Sequence, residues 1–165
     1  MVSVAGEMIM ATKASVVIYV DEVDGGAVKG SFQHMVQEKE RPFSSFGDLI
    51  LELDCMMDAL GEPQSYTERR RWETPHNRRR RPAPKCRKML GRKAVQRRGR
   101  AATFVLYIHM RRNSTWQGEL IWIEVGKSVF FRSALELLHL LETAVAAEPY
   151  EKMGRLEPEQ TFFKP

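Results

Sequence analysis

Shifted by 88 positions, the chain lies on itself without a gap. Self-similarity at one fixed spacing constrains architecture before any single motif does. SVVIYV, Ser15 to Val20, falls on TFVLYI, Thr103 to Ile108. Identical pairs include Val17/Val105, Tyr19/Tyr107, Gly30/Gly118, Phe43/Phe131, Ser45/Ser133, Leu49/Leu137 and Leu53/Leu141. PFSSFGDLI, from Pro42, falls on FFRSALELL, from Phe130.

Each copy reads as strand, turn, strand, helix. In the first, Ser15–Val23 is rich in β-formers, Gly25-Gly26 marks a tight turn, and Val28–Gln37 returns. In the second, Thr103–Arg112 and Trp116–Val125 flank a turn at Asn113-Ser114, and Ser128–Phe131 is a short extended piece. Phe46, Leu49, Ile50, Leu53, Met56, Met57 and Leu60 recur at helical spacing, as do Ala134, Leu137, Leu138, Leu141, Ala144 and Val145. Ser133 and Glu136 form a capping box, and Ser45 with Asp48 a shorter version of it. Gly61 and Pro63 stop the first helix, and Pro149 the second.

Two-residue loops set the expected register. They place Tyr19 opposite Phe32, Val17 opposite His34, Tyr107 opposite Leu120 and Val105 opposite Trp122, and assign that face to the helices. The opposite face then carries Phe104, Leu106, Ile108, Ile121 and Ile123, with Val16, Ile18, Val20 and Met35 in the first copy. It is too apolar for free solvent, so it reads as a protein-partner or homodimer surface, or as the floor of a second layer. A one-residue change in loop length swaps the two faces.

Charge is placed unevenly. Residues 69–100 hold 15 Lys and Arg against one acid, Glu73. The remaining 11 basic and 20 acidic residues leave the body at −9, within a total of +5. Arg69, Arg70, Arg71, Arg78, Arg79, Arg80, Arg81, Lys85, Arg87, Lys88, Arg92, Lys93, Arg97, Arg98 and Arg100 are the candidate nucleic-acid contacts. Such a run displaces counterions from RNA or DNA in a salt-sensitive, sequence-blind way. The same composition also describes a solvated linker, or arginines that meet an anionic lipid, an acidic partner or the protein's own acidic body. Trp72 is the only aromatic in the run, which argues against a base-stacking platform.

Catalytic chemistry has little support. The chain has no phosphate-cradling glycine loop, no nucleophile elbow and no Cys/His set at metal spacing, so neither an enzyme nor a cofactor is expected. Glu136 and His139 are one turn apart, but a carboxylate-bridged metal site draws on several helices; a cap and a surface histidine explain them better. Asp48/Glu52 and Asp54/Asp58 read as the solvated side of a helix, and Trp116 and Trp122 as core or interface. Cys55 and Cys86 read as reduced thiols of a cytoplasmic protein. No apolar run approaches the roughly 18–20 residues of a bilayer span, and the N-terminus lacks the pattern of a secretory signal.

RRNSTWQGELIWIE with FRSALELLHLLETAV, and more loosely SFGDLILELDCMMDALGEPQSYTERRRW, resemble a group of short proteins from Clostridia-type bacteria. The resemblance covers residues 15–72 and 102–146. That group has no assigned activity, so the resemblance implies a bacterial cytosolic protein and carries over no functional residue. Ser133-Ala134-Leu135-Glu136-Leu137 is also similar to the helix start of HicB-like antitoxins, in which one amphipathic helix follows a small β-meander.

The expected fold is therefore α+β. It is an internally duplicated ββα–ββα unit, with an antiparallel sheet, both helices on one face, and a basic connector between the halves. The expected divisions are a flexible N-terminus over 1–14, a first repeat over 15–61, a disordered Arg-rich linker over 62–101, a second repeat over 102–147 and a tail over 148–165.

Overall fold

A computed structural model of the chain describes residues 8–10, 14–35, 37, 39–63, 65, 92–95, 97–111 and 115–146. In chain order the elements are β1 (Met8–Met10), β2 (Ser15–Asp24), β3 (Ala27–His34), β4 (Glu40–Phe43), α1 (Phe46–Leu60), β5 (Arg92–Ala94), β6 (Ala102–Met110), β7 (Gln117–Trp122), β8 (Lys127–Phe131) and α2 (Ala134–Ala146). The class is α+β, as expected. A six-stranded sheet runs in the order β4-β3-β2-β6-β7-β8, and every neighbouring pair in it is antiparallel. β1 pairs with β5 in a separate two-stranded sheet.

Two expectations change in the element list. Each helix is preceded by three strands, because β4 adds to β3 and β8 adds to β7. The connector and the N-terminal segment are not wholly outside the fold, since Arg92–Ala94 and Met8–Met10 pair as strands. Residues 66–91, 147–165 and the turn pair Asn113-Ser114 lie outside the described residues, and so do the expectations that fall on them.

The helix termini form as their sequences dictate. Ser45 is extended, at φ −162°, and its Oγ accepts the Asp48 N–H at 3.0 Å, while Asp48 Oδ2 accepts the Ser44 N–H at 3.1 Å. At α2, Ser133 Oγ accepts the Glu136 N–H at 3.0 Å and Glu136 Oε2 accepts the Arg132 N–H at 2.7 Å. In each, the serine satisfies an N–H that the first helical turn leaves without a partner, and the acid reaches back to the residue before the cap. Gly61 closes α1 at φ +68°, where its N–H donates to the Met57 carbonyl.

The strand register departs from the expected one, and the cause is local. The β2–β3 loop is Gly25-Gly26, both with positive φ, and Asp24 pairs with Ala27 as the two-residue loop requires. The ladder then slips between Glu22, opposite Lys29, and Val20, opposite Gly30, leaving Asp21 in a bulge. Beyond it Tyr19 meets Ser31 and Ile18 meets Phe32. The β6–β7 ladder slips between Met110 and Ile108, at His109, so Leu106 meets Leu120 and Tyr107 meets Glu119. Asp21 and His109 are 88 residues apart. One inserted residue reverses which side chains face which layer.

The core follows from that reversal. Val16, Ile18, Val20, Phe32, Phe104, Leu106, Ile108 and Leu120 form one buried cluster with Phe46, Leu49, Leu53, Met56 and Met57 of α1 and Leu137 and Leu141 of α2. Phe104, Leu106 and Ile108 are therefore not an open partner face; they are 1 %, 0 % and 1 % exposed. Val17, Tyr19, Met35, Val95, Val105 and Ile123 form a second cluster, against which Tyr107 and Ile121 pack. Ile123 is buried there, and Ile121 is half-buried. Val95, from the connector, belongs to this second layer.

At the centre, β2 and β6 pair with Val17 opposite Val105, Val16 opposite Leu106 and Ile18 opposite Phe104. Gly30 and Gly118 occupy matching crowded places. A Cβ at Gly30 would collide with the Tyr19 carbonyl and come within 2.9 Å of the Phe43 ring; one at Gly118 would meet the Tyr107 carbonyl and, at 2.8 Å, the Phe131 ring. Only glycine fits such an approach. Among the described residues, no helix is long and apolar enough to cross a membrane.

Candidate binding site at the root of the basic connector

The connector rejoins the sheet through a tight strand lead-in. The Ala101 N–H donates to Val20 O at 2.9 Å, and the Gly99 N–H donates to Thr103 Oγ1 at 2.9 Å. A Cβ at Gly99 would come within 2.7 Å of the Val20 nitrogen, so the backbone there lies against β2. This approach delivers Arg97, Arg98 and Arg100 to the acidic body.

Arg97 is the centre of the site. Its Nη1 and Nη2 donate to the two carboxylate oxygens of Asp21 at 2.9 and 3.1 Å, a bidentate fork. Nη2 also donates to Glu40 Oε1 and Ser31 Oγ, each at 2.6 Å, and Nε donates to Glu40 Oε1 at 3.1 Å. The Ser31 hydroxyl in turn donates to Glu40. The guanidinium carbon lies 4.2 Å from the centre of the Tyr19 ring, a cation–π stack. Tyr19 is held by its own hydroxyl, which donates to Gln33 Oε1 at 3.3 Å. A lysine cannot reproduce this arrangement, because it lacks the planar fork and the stacking face. Around this centre Arg100 meets Glu22 at 3.4 Å and Arg98 meets Glu124 at 3.6 Å.

The bulge makes the seat. Asp21 is the residue that the β2–β3 ladder leaves unpaired. Tyr19 and Ser31 lie directly opposite each other on the two strands, and Glu40 comes from β4, opposite Gln33. Four strand residues thus converge on a guanidinium that is 76 positions from Asp21.

The electrostatics agree with the geometry. The Arg97 hydrogen bond holds the Asp21 carboxyl below its ordinary value of 3.8, and it outweighs the opposing effect of burial. Arg97, followed by the Ser31 hydroxyl, holds Glu40 below its ordinary 4.5 in the same way. Arg97 is pushed further up, first by its bond to Asp21. A carboxylate with a lowered folded pKa adds stability that is complete above its ordinary value and disappears as the pH falls through the folded one. The melting temperature is therefore expected to be flat from pH 7 to about 5 and to fall below that. Asp21→Asn with Glu40→Gln should flatten part of the fall, which thermal melts across the acid range would read.

Of the other candidate nucleic-acid contacts, Arg92 and Lys93 lie on β5, while Arg69, Arg70, Arg71, Arg78, Arg79, Arg80, Arg81, Lys85, Arg87 and Lys88 lie outside the described residues. Glu136 is committed to the α2 cap, and the exposed His139 stands 4.0 Å from Glu142. Trp116 is buried, and Trp122 is half-buried with its ring 5.7 Å from Phe104. Cys55 is an exposed free thiol.

Two findings were not anticipated. Asp54 and Asp58 are not merely solvated: both pair with the buried Arg111, Asp58 at 2.8 Å. The exposed apolar surface is also elsewhere. On the edge strand β8, Phe130 is 70 % exposed and Val129 46 %. The opposite edge, β4, has Arg41 and Pro42 at the positions of Val129 and Phe130. A charged residue and a proline guard an edge against pairing; β8 carries neither at those places.

No family model, curated protein or solved structure matches this chain.

Proposed function

We propose that this chain is a non-enzymatic binding or regulatory protein of the cytoplasm that contacts nucleic acid, RNA or DNA, through its Arg-rich connector. The observation that carries the reading is that the acidic body holds the C-terminal end of the connector. Arg97, Arg98 and Arg100 are paired with carboxylates of the body, which fastens the connector's end to the sheet. Residues 69–93 still hold 12 Lys and Arg against one acid. A cationic segment rooted on a folded, acidic body brings a phosphate-binding surface to a defined place.

In this reading the body is a duplicated unit with both helices on one sheet face, and its job is to present the connector. Support comes from the recurrence of one 88-residue offset in unrelated details: the two bulges, the crowded glycines with their Phe partners, the Ser caps, and Val17 opposite Val105 at the centre. The likeness to HicB-like antitoxins remains a proposal of the same kind, as does that to the Clostridia-type group.

Replacing 69–93 with a neutral linker is expected to abolish binding to a labelled oligonucleotide. The intact chain should lose about a thousandfold in affinity between 50 and 200 mM salt if about six phosphates are engaged. Unchanged binding after the linker swap would sink the reading.

A second reading, a protein-interaction module that acts as an adaptor, an antitoxin-like inhibitor or a homodimer, is favoured by the β8 edge. There Phe130 and Val129 lie on a strand whose outer side has no partner strand among the described residues. An extended partner strand would add to such an edge. Phe130→Asp should leave the melting temperature within a few degrees of wild type, since the side chain is exposed, and remove any concentration-dependent mass in light scattering. A monomeric mass for the wild type at every concentration would count against the homodimer.

A further inference from the structure

We infer that the seat formed by Tyr19, Asp21, Ser31 and Glu40 is an autoinhibitory contact: it competes with a bound polyanion for the arginines at the connector's root. The inference deepens the nucleic-acid reading and rests on it.

The argument is one of shared chemistry. A phosphate offers an arginine the same paired oxygens that Asp21 offers. Arg97 cannot give its fork to both, because Asp21, Glu40 and Ser31 already take its Nε and both Nη groups. The contact is partly accessible, with 35 % of the Arg97 side chain exposed, so a polyanion can reach it. The Arg98 and Arg100 side chains meet Glu124 and Glu22 at longer distances on exposed surface, and such pairs are weak. A polyanion would therefore take Arg98 and Arg100 first and Arg97 last. The acids of the seat come from β2 and β4, and Glu124 follows β7, so the body holds the root from several elements at once.

The test is oligonucleotide binding by the full chain, read by fluorescence anisotropy over a salt series, with thermal melts to establish folding. Asp21→Asn/Glu40→Gln is expected to bind about three- to tenfold more tightly than wild type, with a salt slope steeper by about one. Asp24→Asn/Glu119→Gln makes the same change in net charge away from the seat and sets the background. Arg97→Lys keeps every charge but loses the fork and the stack, and should also bind more tightly than wild type. Equal affinities for the seat variant and its charge control, or no gain with Arg97→Lys, would overturn the inference while leaving the nucleic-acid reading intact. A wild type and seat variant that both fail to bind at low salt would overturn the nucleic-acid reading and the inference with it.

Discussion

Leu106→Asp is expected to leave no cooperatively folded protein at 25 °C. Leu106 is fully buried between Phe104 and Ile108, in the cluster that also holds Leu49, Leu53, Leu137 and Leu141. Losing the leucine costs about 2–5 kcal/mol in a site that cannot collapse. Burying an unpaired carboxylate costs several more, or forces it to take up a proton. The total stability of a domain is only about 5–15 kcal/mol. Ile121→Asp supplies the contrast. Ile121 is half-buried and packs against the second cluster, so the same chemical change should give a folded protein with a lowered melting temperature. Circular dichroism and urea titration of the two variants would decide it. If Leu106→Asp melted like wild type and only lost a binding partner, the register given by the bulges would be wrong.

The second large effect is expected from Asp54→Asn with Asp58→Asn. Arg111 is buried, with 7 % of its side chain exposed, and both aspartates reach it from α1. Its Nη1 also donates to the Pro63 carbonyl at 3.5 Å. The pair of substitutions keeps the size of the acids and removes the charges that compensate a buried guanidinium. Leaving such a charge uncompensated costs about 3–5 kcal/mol. In a chain of this size that corresponds to a fall in melting temperature of about 6–20 °C. Added salt should restore little of it, because a buried pair is poorly screened. Arg111→Met in the double variant removes the stranded charge and should recover a large part of the loss. Failure of that rescue would show that the aspartates act otherwise than through Arg111.

The parts of the fold that were legible share one property: their determinants are close in sequence. The apolar stripes of α1 and α2 depend on three- and four-residue spacing, and the caps at Ser45 and Ser133 on contacts within four residues. Gly25 and Gly26 turn the first hairpin by themselves. The buried face of the sheet does not follow from the hairpin strands alone. Parity along a strand is carried by the register, and one extra residue at Asp21 or His109 inverts it. A Gly opposite the residue beside each slip, Gly30 and Gly118, was visible in the sequence as an identical pair, and a glycine inside a strand is a bulge signal. The third strands were less visible. ERPF and KSVFF are short, and Ser128–Phe131 by itself reads only as an extended piece.

The site was legible on one side only. The run of arginines includes Arg97, Arg98 and Arg100, and the protein's own acidic body is one of the partners that its composition suits. Nothing near them in sequence names Asp21, Ser31 and Glu40 as acceptors, because these come from β2, β3 and β4. The same holds for Asp54 and Asp58, whose partner Arg111 lies more than 50 residues away.

The sequence by itself determined an α+β chain, two capped amphipathic helices, a pattern that recurs after 88 residues, and an acidic body divided by a basic run. Tertiary structure alone decided which face of each strand is buried, which arginines the body keeps for itself, and which edge is left apolar. Helical periodicity and capping are local and survive any rearrangement of neighbours. Strand parity and ion pairing are set where distant segments meet, and there a single bulged residue outweighs the whole alternating pattern.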